Sequence, residues 1–213
     1  MTIKSKRSAI GLAILTMLYE APMHPYRMQQ LIKERGKDEV INVSQRASLY
    51  QTINRLERDG LIVSQKVSRE ENRPERTTYE LTKPGEEMMF RWMREILSTP
   101  GKDYPEFPAA LSVLAVMTVE DAQRQLEYRL IRLEAELKRI DEETAKASFL
   151  PRLFLLEIEL LRASTETELK WVSGVVADMK SGELTWNEPW LREMAAKHSA
   201  PQEQEAKEEK DAL

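Results

Sequence analysis

The stretch from residue 43 to residue 81 constrains the fold of this chain more than any other part of it. Its first part, residues 44–60, has the composition of a short polar helix in which Leu49, Ile53 and Leu56 are spaced to share one face. A single narrow apolar stripe buries one side of such a helix and leaves the other side in water. The pattern therefore predicts a helix whose polar face is presented to solvent.

The polar face of this helix is suited to reading DNA. Small hydrogen-bonding residues lie near its start, an arginine lies near its end, and the face carries no acidic residue. In the major groove, helix residues reach base edges while basic groups meet phosphates. The candidate DNA-contacting residues are Ser44, Gln45, Ser48, Tyr50, Gln51, Asn54 and Arg55. Gln51 is the best base reader among them, because its amide can pair with adenine through two hydrogen bonds. An ordinary amphipathic helix with a solvated polar face is the alternative interpretation.

A β-hairpin is predicted directly after this helix. Residues 61–67 and 76–81 are short and rich in β-branched or aromatic residues, and they flank a polar loop at residues 68–75. Arg73 in the loop and Arg76 beside it are candidate phosphate contacts. A helix followed by a hairpin with a basic tip is the second half of a winged helix-turn-helix.

Two more helices are predicted before the polar helix. Residues 8–19 read as an apolar helix at the centre of the first core, and residues 26–35 read as a second helix that stops at Gly36. Ser44 is a suitable N-cap for the polar helix, and Gly60 a suitable stop. His24 lies in the turn between the first two helices, where a structural role is expected.

Several motifs in this region carry a family resemblance. They are Ala21-Pro22-Met23-His24-Pro25-Tyr26, Ser48-Leu49-Tyr50, residues 55–62, Arg73-Pro74 and Tyr79-Glu80-Leu81-Thr82. As a set, over about residues 8–95, they resemble the N-terminal domain of PadR-type transcriptional regulators. The resemblance implies a dimeric repressor whose DNA affinity is lowered by a small molecule. Pro25 stands where the family usually has glycine, and Glu75 and Thr77 stand where it usually has a basic and an aromatic residue.

The rest of the chain is predicted to be helical. A helix after Thr82 ends at Pro100-Gly101, three prolines between residues 100 and 108 mark a boundary, and residues 109–117 read as a short buried helix. The predicted organisation is a winged helix-turn-helix domain (1–99), a connecting segment with a short helix (100–118), a helical hairpin for dimerisation (119–181), a short segment packing back (182–199) and an acidic disordered tail (200–213). The fold class is therefore mainly α with one small β-hairpin wing.

Leucines at heptad spacing predict a dimerisation surface in residues 119–180. The candidate dimerisation residues are Leu126, Leu130, Leu133, Leu137 and Ile140 in one helix and Leu153, Leu156 and Leu160 in the next. The second helix carries an additional apolar edge at Leu155, Ile158 and Leu161, which is more than one partner helix can cover. A second chain is the expected cover, as in longer PadR-like regulators with a virulence-activator-like C-terminal domain. A hairpin closed within one chain is the alternative.

Composition and charge narrow the possible partners. The net charge is −4, but residues 1–95 carry +4 and residues 96–213 carry −8, so double-stranded DNA is expected to bind the first part and self-association is expected of the second. The chain has no cysteine and only two histidines, which predicts no metal site and no cofactor. No apolar run is long enough for a membrane helix, so no membrane partner and a cytoplasmic location are expected.

The sequence predicts a regulator and not an enzyme. We find no nucleophile with a base, no paired carboxylates and no phosphate-binding loop. A small aromatic or phenolic effector is expected between the two domains, with Trp92, Tyr104, Phe107 and Trp171 as candidate contacts or, alternatively, as core residues. The other function left open is a helical protein-interaction module whose winged helix binds a partner protein instead of DNA.

Overall fold

The computed structural model describes residues 5–41, 46–66 and 77–197. The chain divides into two compact units, Met1–Asp103 and Tyr104–Leu213. The first contains α1 (Ala9–Glu20), α2 (Pro25–Glu34), a 3-10 turn (Lys37–Glu39), α3 (Arg46–Arg58), β1 (Ile62–Lys66), β2 (Thr77–Leu81) and α4 (Lys83–Ser98). The second contains α5 (Glu106–Ser112), a 3-10 turn (Leu114–Val116), α6 (Val119–Lys146), a 3-10 turn (Arg152–Phe154) and α7 (Leu156–Ser181).

Side-chain caps fix where the helices of the first unit begin. The Ser8 hydroxyl accepts a hydrogen bond from the Gly11 amide (3.1 Å) at the start of α1, and Thr82 does the same for the Gly85 amide (3.1 Å) at the start of α4. The His24 Nδ1 accepts from the Tyr26 amide (3.1 Å) before α2, so the structural role predicted for this histidine is confirmed.

The core of the first unit forms where α1, α2, α3 and α4 meet. Its fully or nearly fully buried side chains include Ile14, Leu15, Met28, Leu49, Ile53, Leu56, Leu61, Ile62 and Trp92. The three residues predicted as the apolar stripe of α3 are all in this set. The prediction that only one narrow side of α3 is buried is therefore confirmed, and α3 is held against the core by that side.

The predicted β-hairpin is present. Strands β1 and β2 pair antiparallel, in a register that places Ile62 opposite Leu81 and Lys66 opposite Thr77. Gly60, with φ at +71°, ends α3 in the left-handed conformation that glycine adopts without strain, and the chain enters β1 two residues later. The outer edge of β2 also pairs with the chain before α2, through reciprocal backbone bonds between Met23 and Tyr79 of 3.1 and 3.0 Å. The hairpin is thus hydrogen-bonded to the segment between α1 and α2.

The second unit is built on a hairpin of two long helices. Ion pairs between Glu127 and Lys180 (2.8 Å) and between Asp141 and Arg162 (2.7 Å) show that α6 and α7 run antiparallel. The buried residues between them include Leu126 and Ile140 of α6 and Val172, Val176 and Met179 of α7. The leucine seam of α6 therefore faces α7 of the same chain.

The short helix before α6 differs from its prediction. It begins at Glu106 and ends at Ser112, a 3-10 turn follows, and none of its residues is fully buried. Val113 and Val116 are 57% and 86% exposed. A short apolar run in the sequence does not show whether neighbouring elements will cover it. Here the α6–α7 hairpin covers only one side of this short helix and of the 3-10 turn.

The segment after α7 returns to the second unit. The Trp186 Nε1 donates to the Met117 carbonyl oxygen (2.8 Å), and the ring packs against the α6–α7 core. Residues 188–197 are helical, and Asn187 caps that helix by accepting from the Trp190 amide (2.9 Å). The acidic tail predicted for residues 200–213 lies outside the described residues. The fold is mainly α with one hairpin, as predicted, and no described helix is both long and apolar enough to cross a membrane.

Candidate nucleic-acid interface

The exposed side of α3 presents hydrogen-bonding side chains in a row. Gln51 and Asn54 are exposed, and neither side-chain amide bonds to another described residue. They are separated by three positions, so they lie about 60° apart around the helix and point in similar directions. Tyr50, 45% exposed, lies next to them. This side of α3 can therefore offer amide donors and acceptors to a partner outside the chain.

Arg58 extends the same row and was missed by the sequence interpretation. Its side chain is 75% exposed, and its Nε makes a long 3.4 Å contact to Asp59. The spacing of Ala47, Gln51, Asn54 and Arg58 by four, three and four positions places them on one line of the helix. That spacing was the available signal, and it adds a cation to the C-terminal end of the exposed face.

Arg55 does not lie on this exposed face. Its Nη2 donates to the Ser8 hydroxyl (3.0 Å), the same oxygen that caps α1, and its buried Nε has no hydrogen-bond partner among the described residues. A Cβ on Gly11 would come within 3.4 Å of Arg55 Nη2 and 3.3 Å of the Trp92 ring. Arg55 thus ties α3 to the start of α1, which differs from the DNA-facing position expected from the helix pattern.

Some of the other candidate DNA contacts fall outside the described residues. These are Ser44, Gln45, Arg73 and Arg76. Ser48 is described and partly buried, and its carbonyl oxygen accepts from the Thr52 hydroxyl (2.7 Å) inside the helix. The described part of the face therefore consists chiefly of Gln51, Asn54 and Arg58.

Tyr79 of β2 interacts electrostatically with residues of α3. Burial raises the pKa of the Tyr79 phenol, and the nearby Glu57 carboxylate and Tyr50 add to the rise. The phenol therefore keeps its proton throughout the neutral range. Tyr79 itself therefore adds no charge between the hairpin and α3.

The aromatic residues proposed as effector contacts do not form one group. Trp92 is 3% exposed in the core of the first unit, and Tyr104 is 82% exposed. Phe107 and Trp171 do meet in the second unit, edge to face, with ring centroids 6.3 Å apart. The Arg129 guanidinium lies 3.5 Å from the centroid of the Phe107 ring and pairs with Glu168 at 2.5 Å.

Two cavities flank Phe107. The α5–α7 cavity, about 780 Å³, is lined by Pro105, Phe107, Pro108, Leu111, Arg129, Ala163, Ser164, Thr167, Glu168 and Trp171. The α5–α6 cavity, about 590 Å³, is lined by Phe107, Ala110, Leu111, Leu114, Met117, Ala122, Gln125, Leu126, Tyr128, Arg129, Arg132, Leu133 and Glu136. Both have the size of small-molecule sites and are mostly apolar with a few charged groups. Among the described residues, no group of three or more His, Asp or Glu side chains could hold a metal ion.

The candidate dimerisation residues divide into two groups. Leu126 and Ile140 are buried inside the α6–α7 hairpin, and Leu130 and Leu133 pack against its core, so this seam has little surface left for a second chain. Leu137 is half-buried. Leu153, Leu156 and Leu160 are 71%, 47% and 69% exposed. The exposed members of this candidate set therefore lie on α7 and on the turn before it.

Comparison with known proteins finds a family match within the first unit. Residues 14–91 match the Transcriptional regulator PadR-like family. No curated protein matches the sequence.

Solved structures share the fold over most of the chain. Bacillus subtilis PadR in complex with operator DNA is 16% identical, with a TM-score of 0.64, and the match covers 81% of this chain and 99% of that one. The same protein in complex with p-coumaric acid gives a TM-score of 0.65 with the same identity and coverage. The PadR-like transcriptional regulator BC1756 from Bacillus cereus, also 16% identical, gives 0.54, and the match covers 83% of this chain and 99% of that one. Residues 14–91 thus form a domain that matches the transcriptional regulator PadR-like family.

Proposed function

We propose that this chain is a sequence-specific DNA-binding regulator that acts as a homodimeric repressor on a pseudo-palindromic operator. The observation that carries the proposal is the exposed face of α3, where Gln51, Asn54 and Arg58 form one row beside the β-hairpin. The charge of +4 over residues 1–95 favours contact with phosphates, while the −8 of the remainder disfavours it. Bacillus subtilis PadR, which has a similar fold, binds operator DNA.

Each residue of the row has a separate role in the proposed complex. The amides of Gln51 and Asn54 suit the donor and acceptor pair that adenine presents in the major groove. Arg58, at the end of the helix, contacts phosphate or guanine. Arg55 holds α3 in place through Ser8 and does not touch a base.

The first prediction is that Gln51→Ala weakens binding to the specific site by about 1–3 kcal/mol and changes binding to random DNA little. The reason is that the variant removes base contacts and leaves the phosphate contacts intact. Fluorescence anisotropy at fixed salt, with the neighbouring intergenic DNA and a scrambled duplex of equal length, measures both affinities.

Gln123→Ala is the matched control for this prediction. Gln123 is a glutamine on α6 that lies in neither cavity wall and whose amide bonds to Glu127 (3.2 Å), so its removal should leave both affinities unchanged. An equal loss on both duplexes for Gln51→Ala would contradict the base-reading role. Failure of the wild-type protein to prefer any fragment of its own upstream DNA would contradict DNA regulation and favour a protein-interaction module.

A homodimer would present two α3 helices to one operator. Half-sites would then lie about one helical turn, roughly 34–36 Å, apart or a multiple of that spacing. A footprint with two protected half-sites related by a dyad is the expected pattern on the operator. A single protected half-site would contradict the symmetric assembly.

We further propose that a small aromatic or phenolic acid releases the protein from DNA by binding in the α5–α6 cavity. Phe107, Leu114, Tyr128 and Leu133 offer apolar and aromatic surface there, and Arg132 offers a cation for a carboxylate. The carboxylate of the same wall, Glu136, is paired with Arg139 (2.7 Å). A ligand that binds the DNA-free form better than the DNA-bound form shifts the population away from the operator. Bacillus subtilis PadR binds p-coumaric acid, which is a ligand of this chemical class.

The second prediction concerns this effector. A phenolic acid from a screening panel should quench the intrinsic tryptophan fluorescence and weaken operator binding over the same concentration range, because Trp171 contacts Phe107 and Trp186 bonds to Met117 at the cavity wall. Arg132→Ala should raise the required concentration about tenfold, and Arg124→Ala, on the same helix but not in the cavity wall, should not. A panel that produces neither effect would leave a constitutive regulator as the better account.

A further inference from the structure

The short stretch before α1, residues 5–8, is attached to the first unit at three of its four residues, and we call it the leading segment. The hydroxyl oxygen of Ser5 is buried. Arg7 pairs with Glu95 of α4 at 3.3 Å. Ser8 caps α1 and accepts the hydrogen bond from Arg55 of α3. The leading segment is therefore held against both α3 and α4.

Lys6 is the one residue of the leading segment that points away from these anchors. Its side chain is exposed, and no hydrogen bond or ion pair joins its ammonium group to another described residue. Because it lies two residues before Ser8, its Cα is within about 7 Å of the residue that Arg55 holds. A cation on an already ordered backbone loses less conformational freedom on binding than one on a free chain end. Lys6 is thus placed in advance for a partner outside the chain.

The leading segment and the hairpin lie on opposite flanks of α3. At about 100° per residue, Arg55 projects roughly 70° to one side of the row of Gln51, Asn54 and Arg58, and Tyr50 projects roughly 70° to the other side. Tyr50 interacts with Tyr79 of β2, so its flank faces the hairpin. The flank of Arg55 faces the leading segment, because Arg55 bonds to Ser8.

This arrangement matches the shape of the DNA major groove. The groove is about 12 Å wide and has a phosphate backbone along each edge, and a helix with its side chains is about 10–12 Å across. When the exposed row of α3 faces the base edges, its two flanks therefore face the two backbones. The hairpin is next to one backbone and the leading segment is next to the other. The carboxylate that contacts the leading segment, Glu95, is already paired with Arg7 and leaves the ammonium of Lys6 available to a phosphate.

We infer that Lys6 binds a DNA phosphate on the edge of the major groove opposite the hairpin, and that Arg55 positions it there through Ser8. The inference rests on the DNA binding proposed above and adds a second phosphate contact to each half-site. Phosphate contacts fix the orientation of a protein on the duplex and carry no base sequence. Arg55 is then a positioning residue, because its bond to Ser8 sets the distance between the base-reading row and the Lys6 contact.

The contact is tested by the salt dependence of DNA binding by full-length Lys6→Ala. The slope of log affinity against log salt should become shallower by about 0.9 for each half-site bound, because one phosphate contact is lost. The ratio of wild-type to variant affinity should accordingly fall about 3.5-fold per half-site between 50 and 200 mM salt. The loss should be equal on the upstream fragment and on a scrambled duplex. An unchanged slope for Lys6→Ala would overturn the inference.

Two variants serve as controls for the charge itself. Lys138→Ala removes the same charge from an exposed position on α6, so its slope should equal that of the wild type. Lys6→Arg keeps a cation at the same place and should retain the wild-type slope. If Lys138→Ala lowered the slope as much as Lys6→Ala, the effect would come from net charge and the placed contact would be wrong.

The edge of the groove is tested by ethylation interference on the upstream fragment. Ethylated phosphates on both edges of the major groove should weaken binding of the wild type. For Lys6→Ala, the phosphates of one edge should lose their effect and those of the other edge should keep it. Equal weakening of the pattern on both edges would overturn the placement of Lys6 opposite the hairpin.

The positioning role of Arg55 is tested by combining substitutions. Arg55→Ala should lower the salt slope when Lys6 is present and lower it no further in Lys6→Ala, since both changes remove the same contact. Ser8→Ala removes the acceptor and keeps the cation, so it gives the same reading if Arg55→Ala lowers the melting temperature. A further fall of the slope in the Arg55→Ala, Lys6→Ala chain would mean that Arg55 itself touches phosphate, and the positioning role would be wrong.

The results for the wild type separate this inference from the proposed function. A wild-type protein that binds neither duplex would overturn both. A wild-type protein that prefers its upstream fragment while Lys6→Ala keeps the full slope would overturn only the role of the leading segment. The experiments on Gln51 would then stand unaffected.

Discussion

Gly85→Ala is expected to destabilise the first unit by about 3 kcal/mol, although alanine normally favours a helix over glycine by about 1 kcal/mol. A Cβ at position 85 would lie 2.0 Å from the Leu61 carbonyl oxygen and 2.8 Å from Leu81 Cδ1. The carbonyl cannot move away cheaply, because it accepts hydrogen bonds from the Thr82 amide (3.1 Å) and hydroxyl (2.9 Å). The steric cost therefore exceeds the gain in helix propensity.

The measurement is urea denaturation followed by circular dichroism, with the free energy of unfolding compared between variants. Trp92, the sole tryptophan of residues 1–103, lies in the core of the first unit, so its fluorescence in a chain with the other three tryptophans replaced by phenylalanine reports that unit alone. Gly174→Ala is the matched control: Gly174 is also in a helix, but nothing lies within 4 Å of the added methyl group. That variant should gain about 0.5–1 kcal/mol. A stabilised Gly85→Ala protein would mean that α4 and β1 are not packed so closely.

The Gly85 contact joins the hairpin to the helical part. The N-terminus of α4 lies against the start of β1. Thr82, which precedes α4, donates its hydroxyl to the carbonyls of Gly60 (2.8 Å) and Leu61, which precede β1. The position of β1 relative to α3 is set at the same place, because Gly60 also ends α3. Loosening this junction should therefore affect α3 and the hairpin together.

Local patterns in the sequence were sufficient to predict the elements of the first unit. The spacing of Leu49, Ile53 and Leu56 identified the buried side of α3, and Gly60 identified its end. Both features depend only on helix geometry and on the conformational freedom of glycine, so they can be read without knowledge of the neighbours.

The direction of Arg55 could not be predicted in the same way. Arg55 lies between the buried and the exposed sides of α3, and helix geometry does not say which neighbour occupies that boundary. Only the folded chain shows that the start of α1 lies there and offers the Ser8 hydroxyl. The exposed position of Arg58, by contrast, could have been predicted from the helix pattern, since Arg58 continues the row of Gln51 and Asn54.

The helices of the second unit show a similar limit. Both apolar edges of α7 were visible in the sequence, but their periodicity did not reveal which edge meets α6. The sequence interpretation placed Leu156 and Leu160 in the same dimerisation seam as the leucines of α6. The structure instead buries Val172 and Val176 inside the hairpin and leaves Leu156 and Leu160 exposed. Choosing between two apolar faces depends on how the whole helix fits its neighbour, which is a property of the packed pair.

Ile53→Ala should strongly destabilise the first unit, and its comparison with Gln51→Ala separates stability from DNA binding. Ile53 is fully buried, and shortening a buried isoleucine to alanine costs about 2–5 kcal/mol through lost burial and the cavity left behind. The exposed Gln51 makes no bond to another described residue, so Gln51→Ala should leave the free energy of unfolding within about 0.5 kcal/mol of the wild type.

The two variants should therefore lose operator binding for different reasons. Ile53→Ala should bind like the wild type at low temperature, where the first unit is still folded, and lose binding as its lowered melting temperature is approached. Gln51→Ala should bind weakly at every temperature at which it is folded. Parallel thermal melts and anisotropy titrations from about 10 °C upward distinguish the two patterns. If Ile53→Ala instead weakened binding at low temperature while its melting temperature was unchanged, the side chain would belong to the DNA-reading surface, and the orientation of α3 described here would be wrong. Because residues 51 and 53 are only two positions apart but face opposite sides of the helix, this single pair tests both the burial of α3 and its proposed contact with DNA.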